Sequence, residues 1–409
     1  MQSKKINRYG IIAAIMTISF IQMASNAPSP AVADMAKAFP ETSDAGIQYI
    51  MTMPNLMVVL LSSITAIMSM KVSKKLLASM GMSLAILSGI LAYLNHQSVR
   101  SLYVCQAMLG IGIGLAIPIA NSLITDYFEG KEKDTLLGWQ TSAANIGSML
   151  MTFLAGILVS YGWYNIFLVY LLAVPGLLLT LLFVPRDNAR SAKNQLLSTS
   201  SQTAGTDVLT EKKVEKRVGI PSGCIKYILV APIFMLLFYM GPTNLAMLIE
   251  EKGIGSPMFS GITMTVLLFG GTIMGLLFGK LSEKISTYTI PLGFISLAVG
   301  FLVLYSTRSI IQTLIGALLV GMSNTMVLPQ CMGQMATGNN RQTTFLLSVV
   351  LSMANLGTFL APVLTTASAI ITKRSLVSSR ILFTAIFALI GSIVTAILVT
   401  RSRNKVCVH

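Results

Sequence analysis

The feature that decides the fold is a seven-residue motif that occurs twice. Residues 144–150 read Ala-Asn-Ile-Gly-Ser-Met-Leu, and residues 354–360 read Ala-Asn-Leu-Gly-Thr-Phe-Leu, 210 residues later. A second pair of similar segments, residues 66–74 and 279–287, is separated by 213 residues. Both pairs lie in or beside long apolar stretches, and their common separation predicts a chain of two related halves. In a membrane protein this pattern is typical of a transporter whose halves rock against each other.

The composition places the chain in a lipid bilayer. Hydrophobic residues make up 54% of the sequence and charged residues 11%, whereas soluble domains have about 25% charged residues. Apolar runs of roughly 20 residues recur, and each is long enough to cross a hydrocarbon core about 30 Å thick. Because backbone groups cannot stay unpaired in lipid, these runs are helices. The alternative is a soluble helical bundle, but its helices would carry a charged outer face.

The apolar runs predict an all-α polytopic membrane protein with twelve transmembrane helices in two pseudo-symmetric six-helix bundles. An even number of spans puts both termini on the same side of the membrane. The predicted limits are 9–27, 46–69, 76–94, 101–125, 137–160, 164–184, 223–248, 257–279, 289–307, 309–335, 343–371 and 378–400.

The longest interruption of the apolar pattern divides the chain into an N-terminal bundle (1–184), a linker (185–222) and a C-terminal bundle (223–409). Residues 198–206 of the linker are mostly small and polar, and residues 211–217 are mostly charged. This composition favours a flexible cytoplasmic linker. A short amphipathic helix on the membrane surface is the alternative.

The distribution of basic residues sets the orientation. With both termini in the cytoplasm, 22 of the 29 Lys and Arg residues fall in cytoplasmic segments and 7 in external ones. The positive-inside rule therefore predicts cytoplasmic termini. Compact loops and the lack of an Asn-x-Ser/Thr acceptor favour a bacterial plasma membrane.

Several function classes are excluded by the same sequence. The net charge of +15 comes from basic residues between the apolar runs, so we do not expect nucleic acid as a partner. The four cysteines are scattered, and His96 and His409 fall in a loop and at the terminus, which predicts no metal site and no cofactor. Gly279-Lys280 is followed by Leu281, so no phosphate-binding loop is present. The predicted spans lack catalytic Asp, His or Ser-His constellations, and we expect no enzyme.

Two loops carry the resemblance to a known family. Residues 66–75 align with the pattern Gly-x-Leu-Ala-Asp-Arg-x-Gly-Arg-Lys of the major facilitator superfamily, although Met70 replaces the acid. Residues 279–287, in the second half, keep the first glycine, the leucine, an acid and the following base. The chain resembles that superfamily over nearly its whole length. In the family this segment latches the halves at the cytoplasmic face, which implies a latch role for Lys71, Lys74, Lys75, Gly279, Glu283 and Lys284. The alternative is that these lysines act only as topology signals.

Further motifs match the family in part. Span four keeps the family's glycines at Gly110 and Gly112, but Gln106 stands where many members have an arginine. Span five has Gly147 without the Gly-Pro of drug-proton antiporters. Span eleven, from Gly357 to Pro362, is closer to that pattern.

Small residues at helical spacing predict close packing between helices. A row of glycines four residues apart runs along span eight. We expect these positions to lie at surfaces that rock, with static packing as the alternative. The predicted packing residues are Gly110, Gly112, Gly147, Gly271, Gly275, Gly357 and Pro362.

None of the fourteen acidic residues falls at the centre of a predicted span. A buried ionisable group is costly and usually marks an ion pathway, so their absence argues against a carboxylate relay. Glu250 and Glu251 are the nearest candidates for proton linkage, or else they form a solvated helix end.

Gly241-Pro242 could break span seven and expose backbone groups. The predicted pathway is lined by Gln22, Asn26, Asn55, Gln106, Tyr239, Asn244 and Asn324, although buried amides also bond neighbouring helices.

Together these features predict a monomeric secondary transporter that moves a small organic solute through the bilayer by alternating access. The predicted solute is neutral or amphiphilic, and efflux is the expected direction by resemblance to the family. Uptake of a neutral metabolite remains open, as does a non-transporting receptor, which should carry a soluble signalling domain. Protons are a partner that the family suggests and that no particular residue supports.

Overall fold

The computed structural model describes residues 8–69, 72–185, 221–335, 340–372 and 376–406. Most of the predicted linker, residues 186–220, lies outside the described residues, and so does Lys71. The boundaries of the two bundles therefore stay a prediction.

The described residues form twelve apolar helical segments, numbered α1 to α12. Eleven stretches are long and apolar enough to cross a membrane, and one of them, Pro257–Tyr305, contains two helices joined at Ser286–Tyr288. The predicted all-helical membrane fold is confirmed. The segments are α1 Arg8–Ala38, α2 Asp44–Met68, α3 Lys74–Leu94, α4 Val99–Tyr127, α5 Gly130–Val159, α6 Trp163–Phe183, α7 Ser222–Glu251, α8 Pro257–Ile285, α9 Thr289–Tyr305, α10 Ile310–Gly333, α11 Asn340–Thr372 and α12 Val377–Val406.

Helix α1 is interrupted near its middle. Its middle, Phe20–Asn26, is a 3₁₀ helix, and Met23 has non-helical dihedral angles (φ −113°, ψ 24°). The segment also continues through Pro28 and Pro30 to Ala38, beyond the predicted limit of 27. Short 3₁₀ turns accommodate these prolines because proline lacks the N–H that an α-helix would need.

Helix α7 corrects the prediction of a break at Gly241-Pro242, because it runs unbroken from Ser222 to Glu251. Pro242 removes one backbone hydrogen bond. Gly241 packs tightly against neighbouring helices, and a methyl group built there would lie 3.3 Å from Val320 and 3.4 Å from Phe301. This packing leaves little room for α7 to bend.

The repeated motif packs in the same way in both halves. A methyl group built on Gly147 of α5 would lie 2.6 Å from the Cα of Phe20 on α1. A methyl group on Gly357 of α11 would lie 2.7 Å from the Cα of Pro232 on α7. Glycine therefore allows one close helix crossing in each half, and the sequence repeat corresponds to a structural repeat.

The two halves, α1–α6 and α7–α12, meet chiefly where α2 packs against α11 and α5 packs against α8. The repeat makes α2 equivalent to α8 and α5 equivalent to α11. An approximate two-fold axis exchanges α2 with α8 and α5 with α11, so it relates the α2–α11 contact to the α5–α8 contact. Two hydrogen bonds, Ser29–Pro242 and Tyr239–Asn26, each join residues 213 positions apart. Equivalent positions touch each other only at such an axis, so the axis passes between α1 and α7.

Other predicted packing residues lie within one half. Methyl groups on Gly110 and Gly112 would approach Pro54 of α2 (Cα, 2.6 Å) and Gly81 of α3 (O, 2.6 Å). A methyl group on Gly271 would lie 3.3 Å from the Gly321 carbonyl oxygen of α10. Pro362 lies inside α11. No atom of another described segment lies within 4 Å of a methyl group built on Gly275 or Gly279, so a packing role for these two stays a prediction.

Candidate functional site: the interface between the halves

Two ion pairs join the halves at one end of the molecule. We call this the distal end, where α1 ends at Ala38 and α2 begins at Asp44; the terminal end is the opposite one, where α1 begins. Lys37 pairs with Glu250 of α7, and Asp44 pairs with Arg380 of α12. The Arg380 side chain is 4% exposed and that of Asp44 is 39% exposed. The second pair therefore holds a buried cation against the N-terminal half.

The neighbouring acid, Glu251, has a different function. Its carboxylate accepts hydrogen bonds from the backbone N–H groups of Val377 and Ser378, at the start of α12. A carboxylate at a helix N-terminus satisfies unpaired N–H groups and interacts favourably with the helix dipole. Glu251 therefore caps α12 within the C-terminal half.

Inward from the ion pairs lies a polar crossing between α2 and α11. Gln48 is fully buried. Its Nε2 donates to Asn244 Oδ1 at 2.8 Å, and Thr365 Oγ1 donates to its Oε1 at 2.6 Å. At about 1.5 Å per residue, these three residues lie roughly 6–10 Å from the distal ends of their helices. One side chain of the N-terminal half thus bridges two helices of the C-terminal half.

The equivalent crossing between α5 and α8 is made of glycines. A methyl group built on Gly156 would lie 2.8 Å from the Cα of Gly261, so the two backbones touch. One turn further inward, the Thr152 and Thr265 hydroxyl oxygens are 3.5 Å apart. Small residues permit this close approach, and no long polar side chain bridges the crossing at Gly156 and Gly261.

The deepest polar cluster is uncharged and lies where the halves meet. Tyr239 donates its hydroxyl proton to Asn26 Oδ1 at 3.3 Å, and Asn26 Nδ2 donates to Ser148 Oγ at 3.3 Å. Tyr239 lies about 18 Å along α7 from its distal end at Glu251, near the middle of a hydrocarbon core about 30 Å thick. We call Asn26, Ser148 and Tyr239 the central cluster. It closes the interface from the distal side with groups that can also bind a polar solute.

At the terminal end, the described ion pairs lie within the N-terminal half. Arg8 pairs with Glu132 at 2.7 Å, and Lys74 pairs with Asp126. Lys75 likewise bonds the Leu181 carbonyl oxygen within the N-terminal half, and Ser282 donates to Gln330 within the C-terminal half. Methyl groups built on Gly138 of α5 and Gly275 of α8 would meet no atom of another described segment within 4 Å. Among the ion pairs of the described residues, those that join the halves therefore lie at the distal end.

The predicted pathway residues fall into two groups. Asn26 and Tyr239 meet in the central cluster, and Asn244 joins the crossing at Gln48. The other four do not reach these contacts: Gln106 pairs with Tyr170 inside the N-terminal half, Asn55 donates weakly to the Thr52 carbonyl oxygen at 3.5 Å, Gln22 lies on the 3₁₀ stretch, and Asn324 lies on α10. Within the described part of the chain, Asn324 Oδ1 is buried without a hydrogen-bond partner.

The contacts seen for the described latch residues lie within one half. Lys74 pairs with Asp126, and Lys75 donates to the Leu181 carbonyl oxygen at 2.6 Å, both inside the N-terminal half. Glu283 and Lys284 are exposed near the terminal end of α8, beyond Gly279. Their latch role stays a prediction for an arrangement in which the terminal end is closed.

The sequence prediction missed Gln48, Ser148, Thr365, Arg380 and the glycine pair Gly156 and Gly261. The repeat contained a usable signal for two of them, because the 213-residue offset that relates the predicted Asn26 and Tyr239 also relates Gln48 and Gly261. Comparing each polar residue with the residue at the equivalent position of the other half would have located the approximate two-fold axis. Among the described residues, no group of three or more His, Cys, Asp or Glu side chains could hold a metal ion.

Comparison with known proteins identifies the family. Residues 14–362 match the family model of the Major Facilitator Superfamily. The chain belongs to the major facilitator superfamily. It is therefore a secondary transporter of that family and not an enzyme, as the sequence predicted.

A curated relative and several solved structures are similar to the chain. The chain is 23% identical over 263 residues to the putative glycerol-3-phosphate transporter 2 of Arabidopsis thaliana, a match that covers 59% of the chain and 52% of the relative. The chain thus spans about half the length of that relative.

Among solved structures, the bacterial homologue of the human lysosomal transporter Spinster, inward-facing and unoccupied, gives a TM-score of 0.70 at 17% identity, covering 97% of this chain and 96% of that one. The nucleoside transporter NupG gives 0.73 at 9% identity, covering 94% and 98%. At these identities the likeness shows the fold alone.

Proposed function

We propose that this transporter moves a small neutral or amphiphilic organic solute by alternating access, and that it exports the solute across a bacterial plasma membrane. The terminal end then faces the cytoplasm, as the positive-inside count predicts. The observation that carries the proposal is the central cluster, an uncharged polar group at mid-membrane depth where the halves meet.

The charge distribution supports an uncharged solute. An ionic solute at mid-depth would need a charged partner, because a desolvated charge is costly without one. The charged residues that join the halves, Lys37 with Glu250 and Asp44 with Arg380, already pair with each other at the distal end. The central cluster offers a hydroxyl and an amide, which can donate and accept hydrogen bonds without a charge.

The solutes named for similar proteins make this proposal testable. Glycerol 3-phosphate carries negative charge and would need Arg or Lys donors at its site. A nucleoside is uncharged and presents hydroxyl groups and ring nitrogens, which suit Asn and Tyr side chains. We expect the second kind of solute, and not the first, to be recognised by this chain.

The interface also supports alternating access. Its distal closure consists of one exposed ion pair, one partly buried ion pair, a few hydrogen bonds and a glycine crossing. Net contributions are about 0.5–1.5 kcal/mol for a hydrogen bond and at most about 1 kcal/mol for an exposed ion pair. Contacts of this strength can open and close reversibly while the interior of each half stays packed.

The test is solute exchange by the purified full chain in liposomes, with a labelled nucleoside, a lipophilic neutral compound and glycerol 3-phosphate as probes. We expect exchange of an uncharged probe and none of glycerol 3-phosphate. Exchange of glycerol 3-phosphate alone would overturn the proposed solute class. Accumulation in inside-out membrane vesicles, and not in right-side-out ones, would support export; the reverse result would establish uptake.

A matched pair of variants links exchange to the central cluster. Tyr239→Phe removes the hydroxyl that bonds Asn26, whereas Tyr170→Phe removes a hydroxyl that bonds Gln106 inside one half. We expect Tyr239→Phe to raise the KM for the exchanged solute about tenfold, the effect of about 1.4 kcal/mol, and Tyr170→Phe to leave that KM near the wild-type value. Equal effects would mean that the central cluster does not bind the solute.

A further inference from the structure

The two crossings that close the distal end occupy equivalent positions but differ in chemistry. Position 48 on α2 corresponds to position 261 on α8, and position 156 on α5 corresponds to position 366 on α11, next to Thr365. One crossing therefore has a glutamine bonded across the interface, and its equivalent has two glycines in backbone contact. The internal symmetry of the fold would permit two similar crossings, so the difference is a property of this sequence.

Separation of the halves has different consequences at the two crossings. At α2–α11, it must break both hydrogen bonds of Gln48, to Asn244 at 2.8 Å and from Thr365 at 2.6 Å. At α5–α8, the backbones around Gly156 and Gly261 can tilt or slide without breaking a hydrogen bond at that contact. The nearest polar pair, Thr152 and Thr265, is already 3.5 Å apart.

We propose that Gln48 is the positioning residue that sets the balance between distally closed and distally open states, and that the Gly156–Gly261 contact is the pivot. This inference rests on the alternating access proposed above. It adds that the opening is asymmetric, with the gap between α2 and α11 widening more than the gap between α5 and α8.

The energetic basis is the burial of the glutamine amide. In the closed state, replacing Gln48 with leucine leaves the buried Asn244 Oδ1 without its partner and leaves the buried Thr365 hydroxyl with only the Met240 sulfur, 3.5 Å away, and an unsatisfied buried group is costly. In the open state, water reaches both groups and the cost disappears. The substitution therefore penalises only the closed state, and we expect the open population to rise about tenfold, equivalent to about 1.4 kcal/mol.

The experiment measures distances between spin labels by double electron–electron resonance in the full chain, with Cys407 replaced by serine. One pair, at Glu41 and Ile370, reports on α2–α11; the other, at Tyr161 and Ser256, reports on α5–α8. All four positions are exposed. Gln48→Leu should increase the long-distance population about tenfold in the first pair and clearly less in the second.

Two further variants isolate the cause. Gln106→Leu removes another fully buried glutamine, whose amide bonds Tyr170 within one half, and it should lower thermal stability without changing either distance. Thr365→Val should give a smaller shift than Gln48→Leu, and the double variant should shift no further than Gln48→Leu, because both changes break the same contact.

Unchanged distances in folded Gln48→Leu, or in Thr365→Val if Gln48→Leu does not fold, would overturn the role of Gln48. Equal widening of both pairs would overturn the pivot. If the protein transports a neutral solute but Gln48→Leu leaves the spin-label distances unchanged, only this inference is refuted. If the distances shift but no neutral solute is transported, only the proposed solute class is refuted.

Discussion

The distal and terminal ends of this transporter use charged residues in opposite ways. At the distal end, Lys37 and Asp44 each pair with a residue of the other half. At the terminal end, Arg8 and Lys74 pair with residues of their own half. The same residue types thus join the halves at one end and stabilise one half by itself at the other.

This difference shows which contacts define the observed state. Contacts within a half, such as Gly147 against Phe20 and Gly357 against Pro232, repeat between the halves and involve backbone at close range. Contacts between the halves differ at the two crossings, with a hydrogen-bonded glutamine at one and two glycines at the other. We infer that each half moves as a packed unit and that the distal contacts stabilise the observed arrangement.

The largest effect is expected when a side chain is forced into the glycine crossing. Gly156→Leu would place its Cβ 2.8 Å from the Cα of Gly261, so the distal end could not close. Overpacking costs about 1–3 kcal/mol, and we expect solute exchange in liposomes to fall about tenfold or more.

The matched control for this change is Gly138→Leu on the same helix. A methyl group built on Gly138 meets no atom of the neighbouring described segments within 4 Å, and we expect exchange close to the wild-type rate. A similar loss of exchange in both variants would mean that α5 tolerates no larger side chain anywhere, and the crossing would not be special.

The next effect concerns the buried cation at the distal end. Asp44→Asn removes the carboxylate paired with Arg380, whose side chain is 4% exposed. Removal of one partner of a fully buried pair costs about 3–5 kcal/mol. Because Asp44 is 39% exposed, we expect a smaller loss of about 1–2 kcal/mol in the free energy of unfolding, measured by denaturation in detergent.

The neighbouring ion pair provides the comparison. Lys37 and Glu250 have side chains 62% and 43% exposed, so Lys37→Gln should cost less than about 1 kcal/mol. If Lys37→Gln destabilised the protein as much as Asp44→Asn, burial would not explain the strength of the distal contacts.

A smaller effect is expected at the first turn of α12. Glu251→Gln keeps a hydrogen-bond acceptor there but removes the negative charge that interacts with the helix dipole, worth about 0.3–1 kcal/mol. Hydrogen exchange of the amides of Val377 and Ser378 should become faster by a few-fold in Glu251→Gln and remain unchanged in Glu250→Gln. Unchanged exchange in Glu251→Gln would refute the capping role.

The smallest effect in the observed arrangement is expected at the predicted latch. Glu283 and Lys284 are exposed at the open end, so reversing both charges should leave the distally closed state intact. We expect the charge reversal to shift the protein modestly toward the distally closed state, because it would weaken a latch that holds the terminal end closed. Labelling of engineered cysteines at both ends would detect it, and no shift would leave the two residues as topology signals.

The sequence alone predicted the all-helical fold, the twelve spans and the family, because apolar runs and a repeat at 210–213 residues are long-range signals. It also placed Asn26, Tyr239 and Asn244 in the pathway, and the structure brings all three to the interface. It assigned Gln106 to the same pathway, although Gln106 bonds Tyr170 inside one half. A buried amide looks the same in the sequence whether its partner is a solute or a neighbouring helix.

The missed residues were missed for physical reasons. Arg380 lies near a helix end, where a basic residue is ordinarily solvated, and only the approach of Asp44 makes it an interface residue. Gly156 and Gly261 are two of 32 glycines, and their contact depends on how α5 crosses α8. The break in α1 at Met23 has no proline or glycine at that position to mark it.

The most direct test of this account is to measure both ends of the full chain at once in liposomes. Spin labels at Glu41 and Ile370 would report on the distal end, and labels at Ser142 and Glu283, which are exposed on α5 and α8, would report on the terminal end. The account predicts that the transported solute changes the two distance distributions in opposite senses, one end closing as the other opens. Distances that stay fixed, or that lengthen and shorten together, would contradict it.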